Sequence, residues 1–267
     1  MRILCLNTWG GRLHAPLIAF LVSADADVFC LQEMIHTPLT TRDWLSYRDG
    51  GAELPQRANL FREIAEALPG HQAHFCPAAR GDLFDGDTPV PSEWGIATFI
   101  RKNIPVIGQL QDFIYGDFSP DSYGPHPRAR NAHAVRLVDY EAGHAVTIVH
   151  LHGIRELSGK GDTEARAAQC EALVGIIRAI AKDGDRLVVC GDFNLLPDSA
   201  TFATLCDLGL TDLVTARGHD DTRTSYYGKA PRYADYMLVS GNVEVRSFEV
   251  VASPEVSDHR PLHLEIG

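Results

Sequence analysis

No apolar run in these 267 residues approaches the ~20 that a membrane-spanning helix needs. The segment Arg2–Leu6 is too short for the apolar region of a cleavable signal and runs directly into polar residues. Cysteine is also sparse: the six (Cys5, Cys30, Cys76, Cys170, Cys190, Cys206) mostly lie inside apolar runs, and none forms a C-x-x-C pair. That pattern argues against a disulfide frame and for small core residues of a reduced protein, so the expected compartment is the cytoplasm. There is no H-E-x-x-H and no Cys/His cluster, which argues against zinc. Glycine-rich Leu157–Thr163 lacks the Walker spacing, since Lys160 is followed by Gly161, and acidic Arg80–Glu93 lacks the spacing and terminal Glu of an EF-hand. Basic residues are outnumbered, with a net charge of −11, which speaks against a surface that grips long nucleic acid throughout. Repeats, low-complexity tracts and linkers are missing too, so residues 1–267 read as a single domain.

What is present is ordinary globular composition, 45% hydrophobic and 22% charged. Its organising stretch is Arg186 to Asp198. Leu187–Cys190 reads as a buried strand, and directly after Gly191 come Asp192 and Asn194. Polar groups at the end of a buried strand need a partner or a purpose. Gly-Asp-x-Asn is also good turn chemistry, in which Asp and Asn bond the local backbone.

The same pattern recurs along the chain. Arg2–Leu6 is a strand ending at Asn7. Asp27–Gln32 is a second, ending at Glu33, with a helix at Leu13–Leu21 between them. A right-handed βαβ unit of this kind puts Asn7 and Glu33 at one carboxyl edge. Ala145–Leu151 is a further strand, with His150 and His152 on one face by the period of two. Thr163–Lys182 and Asp198–Leu208 read as helices, as does Gln56–Leu68. Arg232–Val239 is a strand carrying Asp235, Val243–Val251 an alternating strand, and Ser257–Pro261 precedes a last strand at Leu262–Ile266. Ile35–Pro55, Arg80–Glu93 and Asp112–Arg130 read as loops, the last a candidate for substrate contact.

Leu6-Asn7-Thr8-Trp9, Leu31-Gln32-Glu33, Gly191-Asp192-Phe193-Asn194, Asp235-Tyr236 and Ser257-Asp258-His259-Arg260-Pro261-Leu262 resemble, in order, the signature blocks of the endonuclease/exonuclease/phosphatase (DNase I-like) superfamily. The resemblance spans essentially the whole chain. It implies an α/β four-layer sandwich, two packed mixed β-sheets flanked by helices, with the site at one end. It further implies a Mg²⁺ site (Mn²⁺ as an alternative) made by Glu33, Asn7 and Asp258. By the same resemblance Asp192 orients or deprotonates water, Asn194 holds that acid or a phosphate oxygen, His259 contacts the scissile phosphate and Asp235 fixes its tautomer. A histidine paired to an acid is expected to stay cationic near neutral pH. The family places one histidine where this chain offers His150 and His152, and His152, nearer the strand end, is the preferred match.

The expected activity is phosphodiester hydrolysis, by a nuclease or an enzyme acting on a smaller diester. The alternatives are a phosphomonoesterase, an inositol-phosphate or phospholipid head-group hydrolase on the same site, and a non-catalytic binding module. The partner expected is thus a phosphodiester, nucleic acid included, without stable membrane association. Arg101, Arg128, Arg130 and Arg155 are further candidates for phosphate contact.

Overall fold

A computed structural model describes residues Met1–Gly267. The first part of the chain gives β1 (Arg2–Asn7), α1 (His14–Ala24), β2 (Val28–His36), β3 (Trp44–Asp49), β4 (Ala52–Arg57) and α2 (Leu60–Ala67). Then follow β5 (His71–Asp85), β6 (Thr88–Arg101), β7 (Val106–Tyr115), β8 (Arg130–Asp139) and β9 (His144–His152). The last part gives α3 (Glu164–Ile180), β10 (Arg186–Asp192), α4 (Ala200–Asp207), β11 (Leu210–Asp212), α5 (Leu213–Ala216), β12 (Asp235–Ser240), β13 (Val245–Val250) and β14 (Leu262–Ile266).

Two mixed sheets result, one of eight strands in the order β13-β14-β1-β2-β6-β5-β3-β4 and one of six in the order β11-β12-β10-β9-β8-β7. Alternation along β1 shows how the layers form. Ile3 and Cys5 join the core between the sheets, whereas Leu4 and Leu6 pack outward with Leu17 and Leu21 of α1 and Leu60 and Ile64 of α2. Both faces of the strand are covered, so it reads as continuous apolar sequence rather than alternation. On the other sheet α3 lies against β7 and β8. The expected four-layer sandwich is observed.

Three stretches read as loops are partly or wholly strands. Within Ile35–Pro55 lies most of a hairpin, β3 paired to β4. Arg80–Glu93 is the outer part of the long β5–β6 hairpin, turning through Gly86-Asp87 with Gly86 at φ 58. Both stand at or beyond the sheet margin, where few positions are buried and the apolar period that marks a strand is missing. Asp112–Tyr115 belongs to β7, and the true loop is 116–129. The helix expected from Gln56 starts at Leu60, because β4 claims the residues through Arg57. Two later strands are shorter than read, opening at Asp235 and Val245. No helix is long and apolar enough to cross a membrane.

A polar seam crosses the inter-sheet core. Thr98 Oγ1 lies 2.7 Å from His133 Nδ1 and 3.4 Å from His150 Nδ1, and His150 Nε2 is 2.6 Å from the Gln32 side-chain nitrogen. Burial, helped by nearby His74, pushes His133 down to about 4 from 6.5. A histidine kept neutral in the fold binds protons more readily once unfolded. Its stabilisation is therefore complete above pH 6.5 and is lost as the pH falls to about 4, a change of ~3 kcal/mol. Glu33 and Asp235, both raised to about 7, act with the opposite sign over part of that range. The expected result is therefore a difference: urea unfolding of His133→Gln loses less stability between pH 6.5 and 4 than the wild type does. Parallel curves for the two proteins would refute it.

Candidate active site

Strand register brings the polar strand ends together. In the first sheet β1 and β2 run parallel with Asn7 beside Gln32, so Asn7 and Glu33 share one edge. In the second sheet β9 and β10 run parallel with Asp192 beside His152, and antiparallel β12 sets Asp235 on the other side of Asp192. The two edges meet, and Asn7 Nδ2 donates to Glu33 Oε1 at 3.2 Å and to Asp192 Oδ2 at 3.0 Å. The Asn7 carbonyl accepts from Ser257 Oγ at 2.6 Å, which ties in the segment carrying Asp258 and His259.

Local backbone geometry aims these groups. Asn194 adopts φ 57, and its N–H donates to Asp192 Oδ1 at 3.0 Å. The turn and the polar corner are thus one structure, the turn holding the carboxylate still. Asn194 Nδ2 reaches the Gly153 carbonyl at 3.4 Å. Glu33 adopts φ 55 at a register shift in the β2–β6 ladder. Left-handed conformations of this kind cost on the order of 1–3 kcal/mol for a residue with a side chain, and they concentrate at functional sites.

His259 Nδ1 lies 2.8 Å from both oxygens of Asp235, so its Nε2 faces the site, 3.7 Å from Asp192 Oδ2 and 3.7 Å from Asp258 Oδ1. Against the cationic imidazole expected from the acid partner, the surroundings of His259 disfavour its charged form. Burial first, and the Arg223 guanidinium second, push His259 down to about 4, outweighing the Asp258 and Asp192 carboxylates. Burial also raises Asp235 to about 7, against the pull of Arg223. The interior disfavours charge on both members of the pair.

The two histidines of β9 part company. His152 Nε2 is 3.7 Å from Asp192 Oδ2 and its ring packs on Trp94 at 5.3 Å. His150 lies deeper, bonded to Gln32 and Thr98 within the inter-sheet seam, and does not face Asp192. It is a buried core histidine rather than a group of the site. Period-two spacing places both side chains on the inner face, and only depth along the strand separates them.

Three cations border the site. Arg130 is buried, lies 4.7 Å from the Trp94 ring and donates from Nε to the Gly153 carbonyl at 2.9 Å. Burial lowers it to about 10, opposed by the Glu33 and Asp192 carboxylates. The other two escaped the sequence reading. Lys160, from the glycine-rich loop, donates to the Tyr233 carbonyl, and burial lowers its pKa against the pull of Asp192 and Asp235. Arg223 Nη1 donates to Asp258 Oδ2 at 3.0 Å and touches His259 Nε2. Neither stands in a periodic element, and the glycines around Lys160 were the only signal. Arg101 instead pairs with Asp25 and Asp27 and Arg128 with Tyr47 and Asp49, while Arg155 is exposed.

The donor set fits a hard divalent cation. Asp258 Oδ1 is a buried carboxylate oxygen with no hydrogen-bond partner. Glu33 is pushed up to about 7 by desolvation and then by the Asp258 carboxylate, with Asp192 adding to the rise and Asn7 opposing it. Carboxylates crowded in this way favour a cation among them. One ligand atom each of Asp192, Asp235 and His259 also lie within 4.8 Å of one another. Both Asp235 oxygens already face His259 Nδ1, however, so oxygens of Glu33 and Asp258 are the freer donors, while Asn7 Oδ1 beside them already accepts the Trp9 N–H at 2.9 Å.

Residues 4–259 match the Endonuclease/Exonuclease/phosphatase family, and the chain belongs to it. The fold and the buried Asp/His cluster are those of a metal-dependent phosphoesterase. Among solved structures it is similar to an endonuclease/exonuclease/phosphatase from Bacteroides vulgatus (19% identity, TM-score 0.68, 100% of this chain and 98% of that one). It is also similar to the mannosyl-6-phosphatase Bt3783 of Bacteroides thetaiotaomicron (16%, 0.69, 100% and 99%). A third is the catalytic domain of human Nocturnin with bound sulfate (19%, 0.65, 100% and 93%). No curated protein matches the sequence.

Proposed function

We propose that the protein is a Mg²⁺-dependent phosphodiester hydrolase in which Asp192 takes the proton of the attacking water and His259 hydrogen-bonds the scissile phosphate. The observation that carries this reading is the setting of Asp192. Its Oδ2 accepts from Asn7 and stands 3.7 Å from both His152 and His259, while Oδ1 is held by the Asn194 N–H. A carboxylate fixed from two sides, with two imidazoles facing one of its oxygens, is placed to orient a water and accept its proton. Glu33, Asn7 and Asp258 would hold the metal, which supplies Lewis-acid stabilisation of the phosphoryl and leaving oxygens. Asp235 holds the His259 ring through Nδ1, so that Nε2 is the nitrogen left facing the site. Six free cysteines, five of them buried, accord with a reducing, cytoplasmic setting.

The test is hydrolysis of bis-p-nitrophenyl phosphate and of single- and double-stranded DNA and RNA, with Mg²⁺ or Mn²⁺ and with EDTA. Turnover is expected with either metal, to vanish in EDTA and to return on adding Mg²⁺. Turnover that survives EDTA would sink the reading. The net charge of −11 favours a smaller anionic substrate over a long duplex, so sugar and inositol monophosphates belong in the same panel. Release of inorganic phosphate from those, with no cleavage of diesters, would make the enzyme a phosphomonoesterase.

A further inference from the structure

Arg223 is mounted more firmly than a loop residue needs to be. Residues 222–224 lie antiparallel to 258–260: Thr224 N donates to the Asp258 carbonyl at 3.1 Å and Arg260 N to the Thr222 carbonyl at 2.9 Å. Thr224 Oγ1 adds a bond to the Ser257 carbonyl at 2.7 Å. From behind, the Arg232 guanidinium donates to the carbonyls of Arg223 (2.9 Å), Thr224 (3.0 Å) and Tyr227 (2.7 Å), and to Asp221 (2.8 Å). Arg232 is spent on holding backbone. Arg223 is what that backbone presents.

The Arg223 side chain is 6% exposed and lies over the Tyr227 ring at 4.3 Å. Both of its hydrogen-bond contacts in the site, to Asp258 and to His259, are made through Nη1. Nη2 takes no part in them, and Nε is a buried donor with no partner. Nε and Nη2 stand on one edge of the guanidinium, the edge that meets two oxygens of an anion side by side. If Arg223 served only to neutralise Asp258, through Nη1, that edge would have no use at the site.

We propose that Arg223 is a catalytic residue whose Nε–Nη2 edge grips two non-bridging oxygens of the scissile phosphoryl group, with Nη1 anchored on Asp258 beside the His259 ring. This rests on the phosphoesterase reading above. It assigns the fixed positive charge at the phosphate to an arginine that approaches from the 217–234 loop. A permanent cation in a water-poor corner stabilises the charge that builds on those oxygens without rearranging as it does so.

The test uses the full chain with inorganic phosphate as the probe, titrated calorimetrically in EDTA and again with Mg²⁺, alongside kcat/KM on bis-p-nitrophenyl phosphate. Arg223→Ala is expected to weaken phosphate binding at least tenfold in both conditions and to lower kcat/KM by about 10²–10³-fold. Arg223→Lys keeps the charge but not the fork and should recover only part of either loss, while added guanidinium ion should partly rescue Arg223→Ala. Should Arg223→Ala fail to fold, Arg223→Lys and Arg223→Gln carry the same comparison. Unchanged phosphate affinity, or kcat/KM within threefold of wild type, overturns the assignment, as does a wild type that binds no phosphate. A wild type that hydrolyses nothing but binds phosphate through Arg223 would remove the proposed activity and keep the phosphate site.

Discussion

Replacing Asp192 by Asn should lower kcat on bis-p-nitrophenyl phosphate by about 10³-fold or more while leaving the protein folded, general-base catalysis being worth about 10²–10⁴. The amide has the shape of the carboxylate, and its oxygen can still accept the Asn194 N–H that holds Oδ1 now at 3.0 Å. What it loses is the ability to take a proton. It also turns an NH₂ toward Asn7 Nδ2, which at present donates to Oδ2. That clash of donors is local, and it is offset by removing one of the carboxylates that push Glu33 upward. In metal-free buffer the melting temperature is therefore expected to stay level or rise. Steady-state kinetics with Mg²⁺ should show the loss in kcat with KM little changed, the pattern of a group that acts chiefly in the transition state. A variant that keeps a tenth of the wild-type kcat would remove Asp192 from the role of base.

That Asp192 could be singled out from the sequence has a physical cause. Strands covered on both faces read as unbroken apolar runs, so an acid, amide or histidine at the end of one stands out against its surroundings. Asn7, Glu33, His152 and Asp192 were all legible in this way; register sets each pair on the edge of its own sheet, and the packing of the two sheets brings the edges together. Asp258 and His259 lie outside any strand and were found through the ordered family blocks. Helix α3 was legible almost to the residue because Thr163 caps it, accepting the Arg166 N–H, and apolar Leu173, Ile177 and Ile180 mark its buried face.

What was not legible depends on tertiary contact. The β3–β4 hairpin sits at the sheet margin with exposed polar side chains, and nothing in its composition separates it from a loop. Arg223 owes its place to pairing with residues far along the chain, on either side of His259. Its consequence was equally hidden. The acid partner of His259 suggested a cation, yet burial and then the Arg223 guanidinium beside the ring push its pKa down to about 4. The depth that separates His150 from His152 is likewise a property of the packed sheets and not of a repeat of two.

Gly191→Ala should have the largest effect on stability of any single methyl added to the chain's signature blocks. A Cβ at Gly191 would stand 2.0 Å from the Leu151 carbonyl oxygen and 2.9 Å from its carbon. Both are backbone atoms of β9, so no side-chain rotation relieves the contact. Gly191 also adopts φ 155, where residues with a side chain are strained. The strands must separate, and they are the pair that sets His152 beside Asp192. The return side is no looser, because a Cβ at Gly153 would lie 2.4 Å from the Phe193 carbonyl oxygen. A loss of ~4 kcal/mol or more is expected, at the severe end for point substitutions. Gly184→Ala serves as the comparison. It too has a positive φ, 86, but open space around it, so backbone strain alone should cost ~1–2 kcal/mol there. Urea unfolding of the two variants separates steric clash from strain, and a midpoint for Gly191→Ala no lower than that of Gly184→Ala would mean that β9 and β10 can part without cost. In whatever fraction of Gly191→Ala remains folded, kcat should also fall, since the distance that must grow to admit the methyl is the one that aims Asp192.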